Sequence, residues 1–237
     1  MKLVVLTTRT LHHTYFVQEL AKMFSVNAVF VECKTNKPSF ETHHPFEDQR
    51  ELYEREVFFG NKAVRLEDFS QVIEVETVNG ADSVAKLRQL EPDVIIVFGT
   101  GRLRADVINA CPDGIANLHG GNPAEYRGLD SHLWAIYHRD YENLIVTLHR
   151  VNEQLDDGEI ILDSPIHIQR GMKLHQLRRF NTEICVQLAV LGLDMFKQQG
   201  RFISRLQLKR GRYYSFMPAV LKDFCKERFE RYTETIA

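Results

Sequence analysis

The stretch Glu91-Pro92-Asp93-Val94-Ile95-Ile96-Val97-Phe98-Gly99-Thr100-Gly101 decides the fold class. From Val94 to Phe98 every residue is apolar, so this strand has no polar face to give to water. Both of its faces must be covered, which is the situation of a strand inside a parallel sheet. Glu91-Pro92-Asp93 ends the preceding helix, and the two glycines open a turn at the strand's carboxyl end. Ligands of open α/β sheets collect at such ends.

Working outward, the same alternation repeats. Lys2–Thr7 and Val26–Val31 are short β-branched runs, and between them Phe16, Leu20 and Met23 recur at helical spacing over Thr14–Phe24. Val72–Val78 reads as a strand. Ala81–Leu90 reads as a helix with Asp82 as its N-cap and Val84 and Leu87 inward. Beyond the central strand come a short helix over Arg104–Ala110, a turn at Cys111–Gly114 and a strand Ile115–Leu118. Then follow a helix Ser131–His138, strands Leu144–Val151 and Glu159–Ile168, and a long helix Asn181–Gln198 with Ile184, Leu188, Leu191 and Met195 on one face. Gly200 closes that helix. The tail reads as a β-hairpin, Ser204–Leu208 and Tyr213–Phe216 around Lys209-Arg210-Gly211, and then a helix from Pro218.

The pattern predicts an α/β, Rossmann-like, mainly parallel sheet with helices on both faces, plus a small C-terminal helix and β-hairpin extension. The division follows as a catalytic unit over 1–180 and an appendage over 181–237, whose aromatics and sheet edge suit a subunit contact and hence a homodimer. Residues 34–70 break the pattern. They are polar and charge-dense, with His43-His44-Pro45 and Glu51–Glu56, and read as a loop plus an exposed helix.

Composition narrows the function. The 237 residues carry 30 Lys+Arg against 32 Asp+Glu, a net charge of -2, which argues against a phosphate-neutralising nucleic-acid binder. Cys33, Cys111, Cys185 and Cys225 are far apart, so neither a zinc site nor a disulfide framework is indicated. The ten histidines show no His-Glu-x-x-His spacing, so no metal is expected. No apolar run reaches the roughly 20 residues that span a bilayer, and the N-terminal run is too short for a signal sequence, so a cytoplasmic location without membrane contact is expected.

Two strand ends carry chemistry. The first is Phe98-Gly99-Thr100-Gly101-Arg102-Leu103, where glycines let a flat ligand approach the backbone. The second is Asn117-Leu118-His119-Gly120-Gly121-Asn122-Pro123: residues two apart in a strand share a face, so an amide and an imidazole are aimed together. An acidic turn, Asn152-Glu153-Gln154-Leu155-Asp156-Asp157-Gly158, joins the next two strands.

Asn-x-His, the downstream Tyr126-Arg127-Gly128 and the Leu-Asp-Asp-Gly turn, in this order over Val94–Ile161, resemble the folate-dependent formyltransferase family. Within it, the chain looks most like the enzymes that formylate nucleotide-linked amino sugars. The resemblance implies catalytic roles for Asn117, His119 and Asp157, the last placed by its position directly before Gly158. It implies N10-formyltetrahydrofolate as co-substrate, held by Phe98, Gly99, Thr100, Gly101, Arg102, Leu103, Asn152, Leu155 and Asp156. Asn122, Tyr126 and Arg127 would face a small-molecule nucleotide-sugar substrate. Arg102 and Arg104 are candidate partners for the folate's glutamate tail or a phosphate. Other small amines, of the hydroxyornithine or glycinamide ribonucleotide type, are the alternative acceptors, and a folate-binding module with a degenerate site is the non-enzymatic reading. The family pattern has a bulkier stretch where this chain has Gly120-Gly121.

Overall fold

The computed structural model describes residues 1–34 and 37–236. Its strands are β1 (Leu3–Thr7), β2 (Val26–Glu32), β3 (Val72–Val75), β4 (Val94–Phe98), β5 (Ile115–His119), β6 (Tyr126–Gly128), β7 (Ile145–Arg150), β8 (Ile160–Pro165) and β9 (Arg212–Tyr214). Its helices are α1 (Leu11–Met23), α2 (Pro45–Phe59), α3 (Ala81–Leu90), α4 (Ala105–Ile108), α5 (Ser131–Tyr137), α6 (Leu177–Gln199) and α7 (Ala219–Glu234).

Seven strands make one sheet in the order β3-β2-β1-β4-β5-β7-β8. The first five run parallel, and β7 and β8 turn antiparallel at the far edge. The central run behaves as its composition demands. Val94, Ile96 and Phe98 pack into one core with Phe16, Leu20, Leu188 and Phe229, while Ile95 and Val97 pack into a second with Val84, Leu87 and Val107. This Rossmann-like α/β architecture is the one the sequence predicts.

Several local expectations are corrected. Helix α3 is capped by Gly80, and Asp82 lies in its first turn, where a carboxylate still favours the positive end of the helix dipole. Met23 is 64 % exposed at the end of α1 instead of facing the core. Helix α6 begins at Leu177, so Asn181 sits inside its first turns. Helix α2 is not a free surface excursion. Its Glu54 is fully buried, and Arg178 of α6 donates to both carboxylate oxygens at 2.6 Å.

The tail forms no hairpin. Arg212–Tyr214 pairs in parallel with Tyr126–Gly128, and Arg205 pairs antiparallel with Ile160. The reason lies at Gly211. A Cβ there would come within 2.5 Å of the Pro123 carbonyl oxygen, so this glycine permits one backbone to press on another rather than making a turn. Residues 201–217 therefore cross the end of the sheet as a strap.

Candidate active site

Strand β5 aims Asn117 and His119 to one side, and its antiparallel neighbour β7 sets His149 opposite Asn117. His149 Nδ1 lies 2.8 Å from the Arg150 carbonyl, a hydrogen bond that holds the ring with Nε2 turned towards Asn117 and Asp156. The Asn117 amide lies with Nδ2 3.1 Å from that Nε2, a contact that orients the amide at the end of β5. His119 donates from Nε2 to the Tyr126 carbonyl at 2.9 Å, so Nδ1 is the ring nitrogen left for chemistry.

That nitrogen faces Asp156. Oδ2 lies 3.6 Å from His119 Nδ1, and Oδ1 lies 3.5 Å from His149 Nε2. The Gly128 N–H donates to Oδ2 at 2.8 Å. Asp156 is only 5 % exposed. Burial pushes its carboxyl up, but the two imidazoles and the Gly128 N–H outweigh burial and hold it well below the usual carboxylate range. The acid is thus a buried anion aimed at a histidine.

This corrects the sequence-based choice of Asp157. The Asp157 carboxylate pairs instead with Arg210 of the strap, Oδ1 to Nε 3.0 Å. The backbone explains the choice between the neighbours. Asp156 takes a positive φ of 49°, which aspartate tolerates better than most residues and which turns its side chain inward. Arg127 pins the same turn by donating from Nε to the Leu155 carbonyl at 2.9 Å. Gly158 presses against β7 so closely that a Cβ would lie 1.6 Å from the Arg150 carbonyl oxygen. Counting back from the glycine selects Asp157; the glycine's job is close approach, and the acid is one residue further from it.

Two cavities meet at His119, Gly128 and Leu129. The first, about 170 Å³, is lined by Gly99, Thr100, Gly101, Arg102 and Leu103 on one side and Val151, Asn152, Leu155 and Asp156 on the other. Glycine-rich backbone and apolar walls fit a flat heterocycle that is read by main-chain groups. The second, about 240 Å³, is lined by side chains, among them Arg50, Asp130, His132, Arg178 and Asn181. The glycine pair makes this junction possible. A Cβ at Gly120 would stand 3.0 Å from Asn181 Oδ1, and one at Gly121 would stand 2.8 Å from His119 Nε2.

The structure sorts the remaining expectations. Phe98 stays in the core, edge-on to His13 and Phe16, and does not line the first cavity. Asn122, Tyr126 and Arg127 serve the protein rather than either cavity. Asn122 donates to Asn143, the Tyr126 hydroxyl donates to Asp140, and Arg127 holds the acid turn. Residues that sequence reasoning passed over are His149, Gly128 and, in the second cavity, Arg50, Asp130, His132, Arg178 and Asn181. For His149 the signal was faint: its role depends on the β5–β7 register, which no local pattern specifies.

The electrostatics of the second cavity are strained. Burial and the neighbouring Arg178 both lower the pKa of Arg50, and its Nε has no hydrogen-bond partner. Burial raises the pKa of Asp130. Burial lowers His132 to about 4, and its Nε2–H donates to the Ile145 carbonyl at 2.7 Å, so this ring is neutral with Nδ1 as an acceptor. Asn181 is 7 % exposed, and its Oδ1 has no partner.

The formyl transferase family model matches residues 1–184. The chain belongs to the formyl transferase family. A methionyl-tRNA formyltransferase from Anaeromyxobacter dehalogenans is 33% identical over 133 residues, 56% of this chain and 40% of that enzyme. The chain thus matches less than half the length of that curated formyltransferase. In fold it is similar to a sugar N-formyltransferase from Shewanella, with a TM-score of 0.61 at 15% identity over 97% of this chain and 88% of that one. It is similar also to the formyltransferase PseJ from Anoxybacillus kamchatkensis, solved with UDP-4,6-dideoxy-4-formamido-L-AltNAc and tetrahydrofolate. There the TM-score is 0.56 at 16% identity, over 91% of this chain and 86% of that one. Among the described residues no cluster of His, Cys, Asp and Glu is arranged to hold a metal, and no helix is long and apolar enough to cross a membrane.

Proposed function

We propose that this chain transfers a formyl group from N10-formyltetrahydrofolate to the primary amine of a nucleotide-linked amino sugar. The observation that carries the reading is the Asn117, His119 and Asp156 cluster, its histidine and acid buried, at the junction where the two cavities touch. The folate, when bound in the first cavity, supplies an electrophilic formyl carbon. Glycines 99 and 101 and the 151–156 turn would hold its flat ring.

The chain's own groups then divide the work. Negative charge developing on the formyl oxygen calls for fixed donors, and the amide N–H of Asn117, oriented by His149, is one. His119 Nδ1 takes the proton that the attacking amine sheds and returns it to N10 of the folate as the bond from the formyl carbon to N10 breaks, while the adjoining Asp156 anion steadies the charged ring. Asp156 thus serves as the group that holds positive charge beside the reacting atoms.

The acceptor side supports an anionic, amine-bearing substrate. Asn181 Oδ1 and His132 Nδ1 are acceptors near Gly120 and suit an amine. Arg50 and Arg178 line both this cavity and the groove beyond it, which continues past Arg9, Thr10, Thr14 and His43. A diphosphate beside Arg50, whose Nε has no partner, is the arrangement proposed, with the nucleoside in the groove. A homodimer built on the 201–217 strap remains part of the proposal.

The test is incubation with N10-formyltetrahydrofolate and a panel of nucleotide-linked amino sugars, read as the mass gain of one CO on the sugar. The sequence relatives favour a second reading, a methionyl-tRNA acceptor, and charged tRNA belongs in the panel. Inhibition by free nucleoside diphosphates separates the sugar reading from hydroxyornithine-type acceptors. Folate binding without transfer to any amine contradicts both readings.

A further inference from the structure

Among the described residues, Lys222 on α7 is the only lysine buried in the interior, at 2 % exposure. Its Nζ donates to the Thr42 carbonyl at 2.6 Å and to Glu47 Oε1 at 3.2 Å. Burying an ammonium costs desolvation that an apolar side chain of similar length would avoid. The chemistry at His119 makes no use of this cation, so its work lies elsewhere.

The two arginines that line the second cavity differ in how their charge is used. Arg178 is matched charge for charge, giving Nε and Nη2 to the two oxygens of Glu54 at 2.6 Å. Arg50 is not matched in this way. Its Nη2 lies 3.3 Å from Glu47 Oε1, the same oxygen that Lys222 takes, and its Nε has no partner. Two cations thus share one carboxylate, so this trio keeps a net positive charge where Arg178 and Glu54 cancel. The other oxygen of Glu47 is committed, since Oε2 accepts from the His44 N–H at 3.0 Å and caps α2. Asp130, the further acid on the cavity wall, accepts from the Met217 N–H at 2.8 Å, and burial opposes its charge.

An arginine that is to meet a substrate anion needs its nearest carboxylate held elsewhere, because the two anions compete for one guanidinium. We propose that Lys222 is a positioning residue for the acceptor: by holding Glu47 it leaves Arg50 free to meet the anionic part of the substrate. The inference rests on the anionic acceptor proposed above and extends it to how that anion's place is kept open. Helix α7 stands outside residues 1–184, which the family model matches, so on this account the C-terminal extension tunes the acceptor side. Without the ammonium, Glu47 closes on Arg50 as Glu54 does on Arg178.

The experiment titrates the full chain with UDP, GDP and inorganic diphosphate, and with tetrahydrofolate as the control. Lys222→Met is expected to weaken binding of the anions about tenfold, the scale of one charge-assisted hydrogen bond, with tetrahydrofolate affinity unchanged. Adding Glu47→Gln removes the carboxylate that Lys222 restrains and keeps a side-chain oxygen for the α2 cap, so Lys222→Met/Glu47→Gln is expected to recover the wild-type affinity. A lysine that only filled space would not be rescued in this way. If Lys222→Met does not fold, the double variant, which strands neither Lys222 nor Glu47 as an unpaired charge, carries the test and must bind the anions as the wild type does. Undiminished binding in Lys222→Met, or a loss that Glu47→Gln does not restore, overturns the role of Lys222 and leaves the anionic acceptor standing. A wild-type chain that binds none of the anions overturns both.

Discussion

The two cavities that meet at His119 are built by opposite means. The first cavity is lined by the glycine-bearing 99–103 loop and the 151–156 turn, while the second is lined by residues of α2, α5 and α6, among them Arg50, Arg178 and Asn181 beside the apolar Phe46, Leu133 and Leu177. A backbone-lined cavity constrains sequence only where a glycine or a positive φ is needed. A side-chain-lined cavity changes its ligand with every substitution. On the function proposed above, the contrast means that chemistry and donor are held in the strand-end motifs of the sheet, and the choice of acceptor in helices far apart in the chain.

The wall between the cavities should give the largest effect. Asn117→Ala removes an oriented donor from the junction, and turnover is expected to fall about 10²–10³-fold with tetrahydrofolate binding retained, measured by steady-state transfer and by titration. Loss of folate binding in that variant would break the division of labour between wall and donor side.

A smaller effect tests the acceptor side through stability. The unfolded chain takes up a proton on His132 near pH 6.5, but the folded chain does so only at about 4. Between those values the unfolded state binds more protons, so stability falls as pH drops, by about 3 kcal/mol across the window. Chemical denaturation from pH 7 to 4 should show a loss in the wild type that is smaller in His132→Gln by about that amount. An unchanged slope would place the acid sensitivity at other buried histidines, such as His13, which burial lowers to about 3.

The smallest effect is the most local. Asn181→Leu keeps the volume and removes the unpartnered oxygen, so KM for the amine acceptor is expected to rise about tenfold, the worth of one hydrogen bond, with KM for the donor unchanged. A rise in the donor KM instead would mean that the two cavities are not separate subsites.

Much of the sheet was legible because short apolar, β-branched runs alternate with helical spacing, and Val94–Phe98, the one wholly apolar run among them, is buried on both faces as its composition requires. Asn117 and His119 were legible for the same reason, since strand alternation is local. Three things were not. Which carboxylate faces His119 depends on which one the turn's backbone swings inward, and adjacent aspartates look alike in sequence. The tail's pairing with Tyr126–Gly128 joins segments more than eighty residues apart, and a local turn signal at Lys209-Arg210-Gly211 points the other way. The second cavity needs Arg50, Asp130 and Asn181 from three separate helical regions to converge, and the buried Glu54–Arg178 pair is one tie between α2 and α6 that no local pattern reveals.

The account turns on which of two neighbouring carboxylates faces His119. Formyl transfer by Asp156→Asn and Asp157→Asn, compared at saturating donor, is the most direct measurement. A drop of at least about 10² in kcat for Asp156→Asn, with Asp157→Asn close to wild type, is the predicted result. Near-normal turnover in Asp156→Asn alongside a collapse in Asp157→Asn would contradict it.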